Sequence, residues 1–285
     1  MDLAQEETFS RLRLCRIGLQ LTALALGLLC LSDLIHIDPF IAVQFGWRGL
    51  GLFRFAQNLE SQPVWYWGVG LTIPVTSLIG SFYFWGRWPE PSWQLRARAL
   101  IVLNTIDMGS WLITNSHEMG LTEFPFRHEW LVHLITLGAG WVELAITASL
   151  AEQIGRGLGE PRPDRTDPQG EPEEDGDAGR SGSVMTLTTI GLMIWALMVF
   201  TQTQWTWPLA MRPPHNPRVP VNVTCWLMDI ASIAIQLILT FQVTLMCLTV
   251  SRRCQRYVAE KRAEIEQHDL LVSRSESEID ETFWK

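Results

Sequence analysis

The sequence predicts an all-α integral membrane protein whose six transmembrane helices place both termini in the cytoplasm. Three observations support this fold class. The chain of 285 residues is 47% hydrophobic and only 18% charged, whereas about a quarter of the residues in a soluble domain are charged. Its apolar residues are concentrated in six long runs, and its Lys and Arg residues cluster beside alternate ends of those runs.

Each apolar run is long enough to cross a bilayer, which takes roughly 20 helical residues. Because lipid offers no hydrogen-bond partners to the backbone, such segments must be helical. The first run follows three arginines but ends in Leu31-Ser32-Asp33-Leu34, with no small-residue cleavage site, so we expect a retained helix and not a signal peptide. The six predicted spans are 17–36, 63–86, 97–116, 129–152, 184–208 and 221–250.

The positions of the basic residues predict the orientation. With the N-terminus in the cytoplasm, 17 of the 22 Lys and Arg residues fall in cytoplasmic segments, as expected for a protein of the cell membrane. An even number of spans also returns the C-terminus to the cytoplasm. The predicted localisation is therefore the inner or plasma membrane, with both termini cytoplasmic.

The segments between the spans divide the chain into four regions. Helices 1 to 4 occupy 1–152, with an extracytoplasmic loop at 37–62, and helices 5 and 6 occupy 184–250. Residues 153–183 are rich in Pro, Gly and acids and predict a disordered cytoplasmic linker. Residues 251–285 form a charged cytoplasmic tail. The expected partners are the lipid bilayer and other membrane protein subunits, and the absence of a basic face excludes nucleic acid.

Polar residues recur at helical spacing inside three spans. The stripes comprise Asp107, Ser110, Thr114 and His117 on helix 3, with Asn104 at the edge, Glu129, His133, Thr136, Gly140, Glu143 and Thr147 on helix 4, and Asn222, Cys225, Asp229, Ser232, Gln236 and Thr240 on helix 6. Asp107 and Glu143 lie near mid-depth, and Asp229 is the carboxylate of the helix 6 stripe. Ser, Thr and Gln in such stripes usually join helices by hydrogen bonds. A carboxylate near mid-depth is costly, and no Lys or Arg lies at that depth to compensate it. Protonation, a bound cation or water would stabilise it, so these three residues are candidates for a proton or cation path.

Five of the six histidines fall at the predicted extracytoplasmic edge. The densest group is in the segment 117–133, where His117 ends the helix 3 stripe and His133 begins the helix 4 stripe. Imidazole is a common ligand of transition metals. The alternative is a hydrogen-bonded network of His and Glu that closes this end of the bundle. The candidate metal ligands are His117, His128, His133, Glu123 and Glu129.

One short motif in this segment resembles a known family. Glu123-Phe124-Pro125-Phe126-Arg127-His128 is similar to a motif in the C subunit of copper-dependent membrane monooxygenases, the methane- and ammonia-oxidising enzymes. His117 stands near the position of that family's upstream histidine. The family has an acid four residues before that histidine, where this chain has Ile113, so Glu118 or Glu123 would have to substitute. The resemblance covers helices 1 to 4 in outline, and it implies a bound copper ion and an oxidoreductase function.

Three functions remain open from the sequence. The first is a copper-binding subunit of a membrane redox complex, which needs partner subunits because the chain offers no second redox group. The second is a proton- or cation-coupled transporter or channel that uses the intramembrane carboxylates. The third is a structural or assembly subunit of a membrane complex.

Overall fold

The protein is all-α, as predicted. The computed structural model describes residues 3–45, 63–85, 91–118, 129–158, 184–197 and 223–283. The side chains described within these helices are those of 6–34, 70–85, 91–113, 135–158, 184–197 and 231–268, with a few isolated positions beside them. The described residues form six helices, which are α1 (Leu3–Phe45), α2 (Pro63–Phe84), α3 (Pro91–Glu118), α4 (Glu129–Gly157), α5 (Val184–Leu197) and α6 (Val223–Phe283).

The helices follow the predicted apolar runs but extend beyond several of them. α1 continues to Phe45, so residues 37–45 are helical where a loop was predicted. The reason is that this stretch, IDPFIAVQF, is itself mostly apolar and sustains the helix. α4 likewise continues to Gly157, past the predicted boundary at 152. The rest of the predicted loop at 37–62, the last eleven residues of the fifth run, and the linker from 159 onward lie outside the described residues.

α6 is a single helix of 61 residues. Its first part is apolar, and its second part is the segment that the sequence predicts to be a charged tail. The charged part continues as helix because it is rich in Glu, Lys, Arg and Ala, which have high helix propensity. Lys261 and Glu264 form an ion pair of 2.6 Å along its surface.

Five of the helices close a ring. α1 packs against α6 and α2, α3 packs against α2 and α4, and α4 packs against α6. α5 packs against α4 through two contacts, and in each of them a tryptophan ring of one helix covers a glycine of the other. A Cβ added at Gly138 would meet the Trp195 ring at 3.0 Å, and one added at Gly191 would meet the Trp141 ring at 3.2 Å.

Three contacts show which ends of the helices lie on the same side of the ring. The Trp93 indole of α3 donates a hydrogen bond of 2.8 Å to the carbonyl of Phe84 at the end of α2. Gly18 of α1 lies against the same turn, because a Cβ there would be 3.2 Å from the Phe84 ring. Gly155, near the end of α4, faces Val250 of α6, because a Cβ added at Gly155 would lie 3.7 Å from the Val250 side chain.

The side defined by these contacts is called here the basic end. Arg96 of α3 donates to Ser149 and Gln153 of α4, with 2.7 Å to the Gln153 oxygen. Arg16 of α1 lies within electrostatic reach of the Cys254 thiol of α6. α3 ends and α4 begins on the opposite side, called here the outer end. The arginines near the basic end are Arg11, Arg13, Arg16, Arg96, Arg98, Arg156, Arg252, Arg253 and Arg256.

Several of the largest buried side chains lie toward the basic end, among them Leu19, Phe84, Trp93 and Leu100. Many of the outward-facing side chains are also apolar. Exposure reaches 53% at Leu24, 57% at Val102 and 67% at Met193. Soluble monomers rarely expose large contiguous apolar surfaces. Two segments, Glu6–Leu34 and Ala231–His268, are long and apolar enough to cross a membrane, and Gly70–Phe84 and Val184–Leu197 are shorter apolar helices.

Candidate functional site

The candidate site is a buried carboxylate inside the helix ring. Glu143 of α4 is 9% exposed, and its Oε1 accepts a hydrogen bond of 2.9 Å from the Ser77 hydroxyl of α2. α2 and α4 are not neighbours in the ring, so this bond reaches across the interior. A single hydroxyl satisfies only part of a carboxylate, which can accept about four hydrogen bonds.

Two side chains of α3 complete the surroundings of Glu143. The Asn104 amide lies close enough to the Glu143 carboxyl to act on it electrostatically, and its Nδ2 donates to the carbonyl of Leu100 at 2.9 Å. Asp107, one turn nearer the outer end, acts on Glu143 as a like charge. Asp107 of the α3 stripe therefore lies toward Glu143 of the α4 stripe, because the two helices run antiparallel and pack together.

No cation compensates this pair of carboxyl groups within the described helices. The sequence contains no Lys or Arg between 55 and 86, between 99 and 126, or between 128 and 155. Arg96 precedes Asp107 by eleven residues, which is about 16 Å along a helix at 1.5 Å per residue. Its guanidinium donates to Gln153 at the basic end. Two neighbouring carboxyl groups inside a helix bundle are costly to keep ionised without a partner. The pair therefore needs a proton, a cation or water to compensate it.

Space is available beside Glu143 on its outer side. Gly140 precedes Glu143 by one turn on the same face of α4, and a Cβ added there would meet nothing within 4 Å among the described residues. By contrast, Gly138 on another face of α4 is covered by Trp195. Among the described residues, the face that carries Glu143 is therefore uncovered at Gly140, toward the outer end.

The predicted metal ligands are only partly placed by the structure. Glu123 and His128 lie outside the described residues. His117 is in the last turn of α3, and Glu129 and His133 are in the first two turns of α4, but their side chains lie outside the described part. Within the part that is described, no group of three or more His, Cys, Asp or Glu side chains could hold a metal ion.

Asp229, the third predicted carboxylate, is in the second turn of α6, and its side chain also lies outside the described part. Two residues of the site were not predicted as members. Asn104 stands at the edge of the helix 3 stripe, and Ser77 is a small polar residue in an apolar run. The pattern Ser77, Gly80, Ser81 at positions i, i+3 and i+4 is the signal that marks this face of α2.

The sequence matches no protein-family model, and comparisons with curated proteins and with solved structures return no significant match.

Proposed function

We propose that this chain is a polytopic protein of the cell membrane, with six crossings and cytoplasmic termini, that moves protons or cations through its helix ring. The observation that carries the proposal is the buried Glu143, held by Ser77 across the ring and lacking a cationic partner among the described residues. The apolar outer surface and the single basic end support the membrane setting.

The geometry supports an ordered path. Asp107 lies nearer the outer end than Glu143, and the open face at Gly140 leads in the same direction. An ion that enters from the outer end would meet Asp107 first and then bind at Glu143. Asp229, in the part of α6 that begins at the outer end, would contribute to the entrance.

The test is ion flux into liposomes that contain the purified protein. Glu143→Gln keeps the size and hydrogen-bonding capacity of the side chain but removes its charge and its exchangeable acid proton. We expect it to slow flux at least about tenfold, since a positioned acid or base speeds proton transfer by a factor of this order or more. Asp107→Asn should slow flux in the same direction.

Glu152→Gln is the matched control, because Glu152 is on the same helix but pairs with Arg156 at the basic end. An exposed pair of this kind contributes little to stability, so flux should be unchanged. Flux through Glu143→Gln at the wild-type rate would reject the proposal.

A second candidate is a copper site at the outer end, as part of a membrane redox complex with partner subunits. The specific observation is that α3 ends one residue after His117 and α4 begins four residues before His133. The two histidines therefore lie at the same end of helices that pack together. His128 and Glu123 belong to the segment that joins these helices, and Glu129 starts α4.

Elemental analysis of the purified protein tests this candidate. We expect about one copper per chain in the wild type and none in a triple His117→Ala, His128→Ala, His133→Ala variant. His268→Ala, which changes the one histidine of the C-terminal tail, should keep the metal. Equal and negligible copper in the wild type and the triple variant would exclude the site. Stable co-purification of other membrane proteins with a metal-free chain would then favour an assembly subunit.

A further inference from the structure

Three fully buried threonines differ from the other helical threonines of the described chain. The hydroxyls of Thr22, Thr147 and Thr240 have no hydrogen-bond partner in the described part of the structure. A threonine in a helix ordinarily donates to the carbonyl four residues earlier. Several here do so at 2.7–2.9 Å: Thr105, Thr188, Thr189, Thr244 and Thr249.

The three hydroxyls lie at the depth of the helical turn that follows Glu143 toward the basic end. Thr147 follows Glu143 by four residues on the same face of α4. Thr22 of α1 lies against Gly80 of α2, where a Cβ would be 2.8 Å from its hydroxyl. Gly80 is one turn below Ser77, the donor to Glu143.

Thr240 is placed at the same depth by the contact between α4 and α6. Gly155 faces Val250, and both helices run from the outer end to the basic end. Thr240 precedes Val250 by ten residues, which brings it level with the turn between Glu143 and Thr147. Asn104 adds a fourth polar atom to this region, because its Oδ1 is buried and lacks a hydrogen-bond partner among the described residues.

Buried polar atoms without a protein partner are rare and are usually satisfied by ordered water. A buried water typically makes about three hydrogen bonds to such atoms. The hydroxyls of Thr22, Thr147 and Thr240 can each donate and accept, and the Asn104 oxygen can accept. Four such atoms at nearly the depth of a carboxyl group match the needs of a small cluster of bound water.

We propose that Thr22, Thr147, Thr240 and Asn104 bind a water cluster on the basic side of Glu143, and that the ion passed along this part of the path is the proton. This inference rests on the proposed function and specifies its substrate. The Glu143 carboxylic acid gives its proton to the first water, which passes one of its own protons to the next, so that one proton moves and Glu143 is left as a carboxylate. Asp107 or water on the outer side then reprotonates it.

The chemistry of the cluster favours a proton over a metal cation. Its protein ligands are neutral oxygens, and no described carboxylate lies between it and the basic end to balance a desolvated cation. Below the cluster the interior is filled by large apolar side chains, including Leu19, Phe84, Trp93 and Leu100. A proton that leaves the cluster for the basic end has to cross this apolar layer, so the layer is the slow step of the path.

The experiment replaces each hydroxyl by a methyl group of nearly the same shape, in Thr22→Val, Thr147→Val, Thr240→Val and the triple variant. Proton flux into sodium- and potassium-free liposomes should fall at least about tenfold in the triple variant. It should fall by less in each single variant. Infrared spectroscopy should also show slower hydrogen–deuterium exchange of the Glu143 carboxyl, assigned by its loss in Glu143→Gln. Thr105→Val and Thr249→Val, whose hydroxyls bond to their own helices, are the controls and should change neither measurement.

The outcomes separate this inference from the proposed function. Loss of flux in Glu143→Gln, together with wild-type flux and wild-type exchange in all threonine variants, overturns the water cluster alone. Wild-type flux in Glu143→Gln rejects the proposed function, and the infrared exchange in the threonine variants still decides whether water is bound there. Transport of radioactive sodium without proton movement overturns the assignment of the proton. Should the triple variant not fold, the flux and exchange of Thr147→Val decide.

Discussion

Glu143 shows how far single residues could be predicted. Its place on a polar stripe and the lack of a nearby cation are properties of the sequence, and they make it and Asp107 candidates for a proton or cation path. Its hydrogen-bond donor could not be predicted in the same way, because Ser77 is 66 positions away along the chain. A lone serine in an apolar run has no periodicity to distinguish it from a residue that packs two helices together.

The buried threonines illustrate the same limit. Thr147 and Thr240 belong to predicted stripes, but a stripe does not reveal whether a hydroxyl bonds to its own helix or to something else. That distinction depends on side-chain rotamers set by packing. Thr22 belongs to no stripe, and its position follows only from the close approach of α1 and α2 at Gly80.

At the level of the helices, apolar runs and flanking charges predict where most elements begin. α2, α4 and α5 start at the predicted residues 63, 129 and 184. Where helices end is harder to predict, because α1 and α6 continue into segments that are compatible with both helix and loop. Which helices pack together cannot be predicted from any one segment either, because packing depends on which small residues let two helix backbones approach.

Gly80 is the residue on which the contact between α1 and α2 depends most. A Cβ there would lie 2.8 Å from the Thr22 hydroxyl, 3.2 Å from the Thr22 nitrogen and 3.3 Å from the Gly18 carbonyl. Two of these neighbours are backbone atoms, so α1 itself would have to move. We expect Gly80→Ala to lower the free energy of unfolding in detergent by about 1–3 kcal/mol, the usual cost of overpacking.

Gly27→Ala is the matched control on α1, because a Cβ there meets nothing within 4 Å. Alanine is favoured over glycine within a helix by up to about 1 kcal/mol, so this variant should be as stable as the wild type or slightly more stable. Thermal unfolding of the two variants side by side makes the comparison. Equal stabilities would show that α1 and α2 are not held together at Gly80.

At the scale of the whole molecule, the ring has the features that a lipid environment requires. The described side chains on its outer surface are mostly apolar, and the Glu143 carboxyl group lies inside. The arginines of the described helices collect at one end, where the positive-inside rule would place the cytoplasm. The sequence anticipates these features because they depend on composition and charge placement, which tertiary packing does not alter.

The number of crossings follows from the side of the membrane on which residue 170 lies. With six crossings the linker around Gly170 is cytoplasmic, whereas with crossings only at Glu6–Leu34 and Ala231–His268 everything between them is extracytoplasmic.

Reporter fusions distinguish the two topologies. Truncated chains that end at Gly120, Gly170 or Lys285 can be fused to alkaline phosphatase, which is active only outside the bacterial cytoplasm, or to green fluorescent protein, which fluoresces only inside. We expect phosphatase activity after Gly120 and fluorescence after Gly170 and Lys285, since the arginines of α1, of α3 and of the C-terminal part of α4 should all remain on the cytoplasmic side. Phosphatase activity after Gly170 would leave two crossings, remove α2 to α5 from the bilayer, and place Glu143 outside the membrane.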